Sequence, residues 1–117
     1  MVTGFSQGAV LAYGMAFLRP AMFSAACPMA GDLPPELFHR ASLPSVRPEV
    51  HGFHGDQDRI VDFAKGRATI DALKRLGFTA DLTVIRGVAH KFEPASAGVA
   101  ACIDRAARKA SLALPPR

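Results

Sequence analysis

The sequence predicts an α/β fold: about three parallel strands plus the stub of another, with flanking helices. Three observations predict it. Short apolar segments of strand length alternate with longer segments of helical periodicity, in the order helix, strand, loop, strand, helix, strand, helix. Strands joined through helices run parallel. Near the start stands Gly4-Phe5-Ser6-Gln7-Gly8, a G-x-S-x-G run whose glycines suit a sharp turn from strand into helix. Finally, Ser6, the acidic pair Asp56 and Asp58, and His90 all follow strands, at the carboxyl edge where parallel sheets place ligand sites.

Composition narrows the field. The 117 residues, 50% hydrophobic and 21% charged, amount to one globular domain or part of a larger one. The net charge of +4 and pI near 9.6 invite an anionic partner. The basic residues are nevertheless scattered over helix faces, without a run or a nucleic-acid motif, so a solvated basic surface and no nucleic acid are expected. Cys27 and Cys102 stand in apolar surroundings without metal-ligand spacing. They are expected as buried, reduced thiols of a cytoplasmic protein, a single disulfide being the alternative. No basic and apolar leader precedes Gly4, and the apolar run Ala9–Leu18 is too short to span a bilayer. Neither a signal peptide nor a membrane span is read.

The elements follow in order. A buried helix is expected over residues 7–19, apolar throughout and stopped at Arg19-Pro20. Met22–Ala30, small and apolar, reads as a strand, with Pro28 where pairing should already be ending. Gly31–Pro48 reads as a loop carrying Pro34, Pro35, Pro44 and Pro48, with one helical turn around Glu36–Arg40. Glu49–Gly55 is a second strand. An amphipathic helix follows over residues 62–77: Phe63, Ile70, Leu73 and Leu76 share a face, Asp62 caps the start and Gly77 ends it. Ala80–Arg86 is a third strand, leading into Gly87-Val88-Ala89-His90. The last helix is expected from near Pro94 to about Leu112. Its inward residues would be Val99, Ile103, Ala106, Ala107 and Ala110, with Arg105, Arg108 and Lys109 near the negative end of its dipole.

A serine hydroxyl is a weak nucleophile, needing a base to take its proton and a carboxylate to orient that base. A sharp strand-to-helix turn lifts Ser6 clear of the backbone, and glycine at positions 4 and 8 removes Cβ atoms expected to crowd it. The helix start gathers free backbone N–H groups beside the serine, and that of Gln7 can donate to a developing oxyanion. The run thus reads as the nucleophile elbow of an α/β-hydrolase, in which the chain order is serine, acid, histidine. Of the four histidines only His90 follows the acids. His39 lies in the proline-rich stretch and His51 within a strand. His54 precedes the acids, where it suits support of their loop by hydrogen bonding. Asp56 and Asp58 remain alternatives for the acid, the other capping a turn.

Gly4–Gly8 as G-F-S-Q-G, His54–Val61 as H-G-D-Q-D-R-I-V, and Arg86–His90 as R-G-V-A-H together resemble the phospholipase/carboxylesterase family of α/β-hydrolases. That family includes bacterial carboxylesterases and acyl-protein thioesterases. The resemblance covers nearly the whole chain. It implies Ser6 as nucleophile, Asp58 as acid, His90 as base and the Gln7 backbone N–H in the oxyanion hole, with no metal or organic cofactor. Two departures stand out. Asp62 occupies a place where the family usually has proline, a mild change at a helix start. Relatives also carry an N-terminal half, with earlier strands and a loop supplying a second oxyanion N–H, and nothing in this sequence matches it. Residues 1–117 therefore read as a single domain forming the C-terminal half of such a hydrolase.

The leading expectation is a serine hydrolase that cleaves small-molecule carboxylic esters or thioesters through an acyl-enzyme on Ser6. A dienelactone-hydrolase type would carry cysteine there. The alternative is a truncated, non-catalytic or partner-dependent fragment acting by protein association, as a homo-oligomer or paired with the missing N-terminal half. Such a chain would leave Met22–Ala30 at or beside an open sheet edge and uncover Val10, Leu11, Met15 or Phe17.

Overall fold

In the computed structural model, which describes residues 1–39 and 47–113 with side chains as far as Ala110, four parallel strands share one sheet. They are β1 (Val2–Phe5), β2 (Ala25–Met29), β3 (Glu49–Gly55) and β4 (Ala80–Ile85), side by side in that order. The expected stub is a paired strand, in register with β2 from Val2 opposite Ala26 to Phe5 opposite Met29. β3 and β4 pair along their length, from Val50 opposite Ala80 to Gly55 opposite Ile85.

Side chains alternate across the sheet, and each face has its own core. On one face Ala26 and Val50 meet Tyr13, Ala16 and Phe17 of helix α1 (Gln7–Leu18) and Ile70 and Leu73 of helix α2 (Phe63–Arg75). On the other, Cys27, Met29 and Phe53 meet Val99 and Cys102 of helix α3 (Ser96–Ala113). Burial pushes the Tyr13 hydroxyl well above its ordinary range, with Asp32 and Asp81 adding to the effect, so it stays a neutral phenol in that core.

Local chemistry explains the helix ends. The Asp62 side chain accepts from the Ala64 N–H, as expected of an N-cap. Gly77, at φ +88°, turns the chain out of α2. Its N–H donates to Lys74 and that of Phe78 to Leu73, the paired bonds of a Schellman stop. Pro35–His39 forms a 3₁₀ turn where a helical turn was expected; residues 40–46 of that loop, with Arg40 and Pro44, lie outside the described residues.

Several expectations are corrected. β2 begins at Ala25 instead of Met22, because Pro20–Met22 winds into a 3₁₀ turn. Pro28 lies inside β2, opposite Gly4, and the register with β3 skips Cys27 and Pro28, the proline having no N–H to give. α1 is not buried all round: Ala9, Ala12, Tyr13, Ala16 and Phe17 are covered, while Leu11 is 69% exposed and Met15 and Leu18 are also exposed. On α3, Cys102 joins the inward seam, whereas Ala107 and Ala110 face outward. That helix runs beyond its basic residues, so Arg105, Arg108 and Lys109 miss its last turn. Instead Arg108 pairs with Asp104 and Lys109 with Glu49. Cys27 and Cys102 are joined in a disulfide between β2 and α3. The bond replaces the expected reduced thiols with the disulfide alternative. No helix among the described residues is long and apolar enough to cross a membrane.

Candidate active site

The turn at Ser6 holds the backbone in a strained conformation. Ser6 precedes α1 at φ 59°, ψ −115°, a conformation that a residue with a Cβ adopts only when its surroundings force it. Two sets of bonds force it. The Ser6 N–H donates to Met29 O and so carries the β1–β2 pairing one residue further. Its carbonyl accepts from the N–H groups of both Ala9 and Val10, opening the helix. A serine at a helix start normally turns its hydroxyl onto the first free N–H groups. Here the hydroxyl makes no such bond. It lies 2.9 Å from His90 Nε2 instead.

Gly4 makes this turn possible, and Gly8 does not. A Cβ on Gly4 would stand 2.9 Å from the Gly8 Cα and nearer still to its carbonyl, whereas a Cβ on Gly8 would meet nothing within 4 Å. The expectation that both glycines relieve crowding is corrected to one. The N–H of Gln7, at the positive end of α1, has no backbone partner among the described residues and stands beside the serine.

The acid and the histidine come from the loops after β3 and β4. Asp58 Oδ2 lies 2.7 Å from His90 Nδ1. The carboxylate is buried, while the imidazole keeps 17% of its surface exposed. Asp58 Oδ1 accepts from the N–H groups of Ile60 and Val61, at 3.0 and 2.9 Å, which fixes the carboxylate from the side away from the histidine bond. Asp56 points elsewhere: its Oδ1 accepts from the Gly87 N–H at 2.8 Å. That bond, with Gln57 N–H on Val88 O, stitches the acid loop to the loop bearing His90. A carboxylate can only accept, so the His90 proton sits on Nδ1 and Nε2 is left as an acceptor for the Ser6 hydroxyl.

Of the residues singled out in the sequence, Ser6, Asp58 and His90 are brought into one hydrogen-bonded line, with Gln7 beside it. His39 and His51 are not: His39 is exposed in its 3₁₀ turn, and His51 pairs with Asp81 and Glu49. His54 bonds within the acid loop, its Nε2 lying 2.8 Å from Val61 O. Two aromatic residues escaped sequence reasoning. Phe5 stacks on the His90 ring, with centroids 4.8 Å apart, and Phe92 meets Phe5 edge-on at 5.9 Å. The available signal was adjacency alone, Phe5 next to Ser6 and Phe92 two residues beyond His90.

The model of the phospholipase/carboxylesterase family matches residues 1–101. Among solved structures, Arabidopsis thaliana SOBER1 is similar with a TM-score of 0.76 and 24% identity, covering 88% of this chain and 50% of its own. Zea mays acyl-protein thioesterase 2 is similar at 0.68 and 23%, covering 88% and 54%. Esterase PE8 is similar at 0.71 and 24%, covering 87% and 48%. This chain thus spans about half the length of the structures it matches. No curated protein matches it.

Proposed function

Since the chain belongs to the phospholipase/carboxylesterase family of α/β-hydrolases, we propose that it carries that family's ester-cleaving machinery on Ser6, Asp58 and His90. One observation carries the reading. The Ser6 hydroxyl, at a helix start where it would ordinarily cap the backbone, is turned onto a histidine that a buried carboxylate holds from the other side.

The chemistry follows from the atoms. His90 Nε2 takes the Ser6 proton as Oγ attacks the carbonyl carbon of an ester or thioester. Asp58 stabilises the imidazolium that forms, and the Gln7 N–H donates to the oxygen that gains charge. As the tetrahedral adduct collapses, Nε2 returns the proton to the departing alcohol or thiol, leaving an acyl group on Oγ. Water, deprotonated by the same nitrogen, releases the acid. Small-molecule esters and thioesters are the proposed substrates, and no metal or organic cofactor takes part in these steps.

The test is hydrolysis of short p-nitrophenyl esters together with covalent labelling by a fluorophosphonate. The chain should label once, on Ser6, and Ser6→Ala should lower turnover by on the order of 10⁶-fold, to an undetectable rate, and abolish labelling. Turnover that survives Ser6→Ala would end the proposal.

A second reading is favoured by a separate observation. Leu11, Met15 and Leu18 lie at spacings of four and three along α1, all exposed, with Met22 67% exposed just beyond. β1 next to them is the last strand of the sheet, bonded on one side only. This apolar face beside an open strand suits association with a second copy, or with a polypeptide supplying the preceding half of the fold. In that reading hydrolysis is completed only in the assembly.

A further inference from the structure

We propose that His54 is a positioning residue for the Asp58 carboxylate, holding it in line with His90 from beneath the site. The inference rests on the proposed Ser6–His90–Asp58 machinery and assigns it a second histidine.

His54 is the penultimate residue of β3, and its side chain is wholly enclosed. Its Nε2 lies 2.8 Å from Val61 O, which can only accept, so that nitrogen carries the proton. The same Nε2 stands 3.5 Å from Asp58 Oδ2, the oxygen that receives His90. Val61 closes the device. Its carbonyl is held by His54, while its N–H, with that of Ile60, holds Asp58 Oδ1. One imidazole therefore braces both ends of the turn that presents the acid and places its N–H dipole towards the carboxylate.

Nδ1 of the same ring has no hydrogen-bond partner among the described residues, although it is buried. An orphaned buried acceptor costs stability, so the ring is not there for its own satisfaction. Two contacts pin it. Phe63 meets its face edge-on at 5.8 Å, and a Cβ on Gly66 would collide with Nδ1. A glycine in the second turn of α2 thus lets the helix press directly on the ring. The brace runs from Gly66 to His54, to Val61 and Asp58, and so to His90. Asp58 could keep its acceptor bonds without His54, but nothing else among the described residues holds the Val61 carbonyl.

The test is proton NMR of the imidazole N–H groups in the full chain, which reads the His90–Asp58 bond whether or not the chain turns over substrate. The wild type should show a low-field Nδ1 proton for His90, with His54 as the Nε2–H tautomer in ¹⁵N spectra. His54→Phe keeps the ring volume and loses the donor; it should lose the low-field proton while unfolding cooperatively. His54→Gln returns an N–H near the same place and should restore the signal. Where ester turnover is measurable, His54→Phe should lower kcat by on the order of 10²-fold at little change in KM, as expected for a displaced catalytic group. Should His54→Phe fail to fold, His54→Gln and the wild-type tautomer decide alone. A folded His54→Phe that keeps the low-field proton overturns the proposal. So does a folded His54→Gln that loses it, or a wild-type His54 protonated on Nδ1. The low-field proton is read without turnover, so a wild type that shows it yet fails to hydrolyse esters counts against the proposed function alone.

Discussion

The two glycines of the elbow look equivalent in the sequence and are opposite in the structure, which makes them a stringent test. Gly4→Ala places a Cβ 2.9 Å from the Gly8 Cα and closer to its carbonyl carbon and oxygen. The obstacle is backbone in the first turn of α1, where the Ala9 and Val10 N–H groups are already bonded to Ser6 O, and no side chain can swing away. Inserting a methyl into such a place costs roughly 1–3 kcal/mol, and here the upper part of that range applies because only the backbone can yield. Gly8→Ala meets nothing within 4 Å and sits inside the helix. Replacing a helical glycine by alanine contributes up to about 0.5–1 kcal/mol, less in the first turn. The two alanines should therefore differ by about 2–3 kcal/mol. With a urea slope of about 1–3 kcal/mol/M for a small domain, their unfolding midpoints should separate by roughly 1 M or more, Gly4→Ala below wild type and Gly8→Ala at or above it. The same displacement moves Ser6, so fluorophosphonate labelling should slow sharply in Gly4→Ala and persist in Gly8→Ala. Equal midpoints, or a Gly8→Ala as damaging as Gly4→Ala, would refute this account of the elbow.

Other perturbations separate further parts of the argument. The Cys27–Cys102 bond closes 75 residues of chain, for which loop entropy gives on the order of 4 kcal/mol; reduction, or paired Cys27→Ala and Cys102→Ala, should lower the unfolding midpoint accordingly, and two titratable thiols in the unreduced, unfolded chain would contradict the bond. The exposed face of Leu11, Met15, Leu18 and Met22 should drive association at micromolar concentration; sedimentation should show it weakened by Leu11→Lys with Met22→Lys, and a wild-type monomer would sink the second functional reading. The Glu49 carboxyl is held below its usual range chiefly by the hydrogen bond from Lys109, with partial burial opposing. A depressed carboxylate stabilises the fold above its unfolded-state pKa and ceases to as pH falls through its folded value. Lys109→Met should therefore be slightly destabilising at neutral pH, the difference fading on acidification below the ordinary carboxylate range and in high salt; urea midpoints that differ equally at every pH would count against the pairing.

Much of this molecule was legible because local chemistry and global fold agree. Alternating apolar segments announced the parallel order, Asp62 and Gly77 announced the ends of α2, and the three loops carrying Ser6, Asp58 and His90 were expected at one edge of the sheet. What was not legible depends on contacts that sequence spacing does not encode. Asp56 and Asp58 are equal candidates by position. The family resemblance implies Asp58, and the physical difference lies in the turn, in which the N–H groups of Ile60 and Val61 close on Asp58 and that of Gly87 on Asp56. Cys27 and Cys102 read as two buried thiols, because nothing in the chain between them says that β2 and α3 pack with those side chains facing. α1 read as buried because apolar residues surround it, yet burial is decided by neighbours, and the described elements cover only its Ala9–Tyr13–Phe17 side.

The same distinction explains why the supporting residues are harder to see than those proposed to react. Ser6 and His90 belong to types whose chemistry singles them out, whereas Phe5, Gly66 and His54 act through where they sit. Phe5 matters because its ring lies against His90, Gly66 because it lacks a Cβ next to His54, and His54 because one nitrogen reaches Val61 while the other reaches nothing. An unpaired buried nitrogen and a strained serine both cost stability, and both lie on the same short path through Asp58 and His90. Folding alone would favour removing each of them. Their coincidence at one edge of the sheet is the physical ground for reading that edge as a site and for expecting changes at His54 to register at His90.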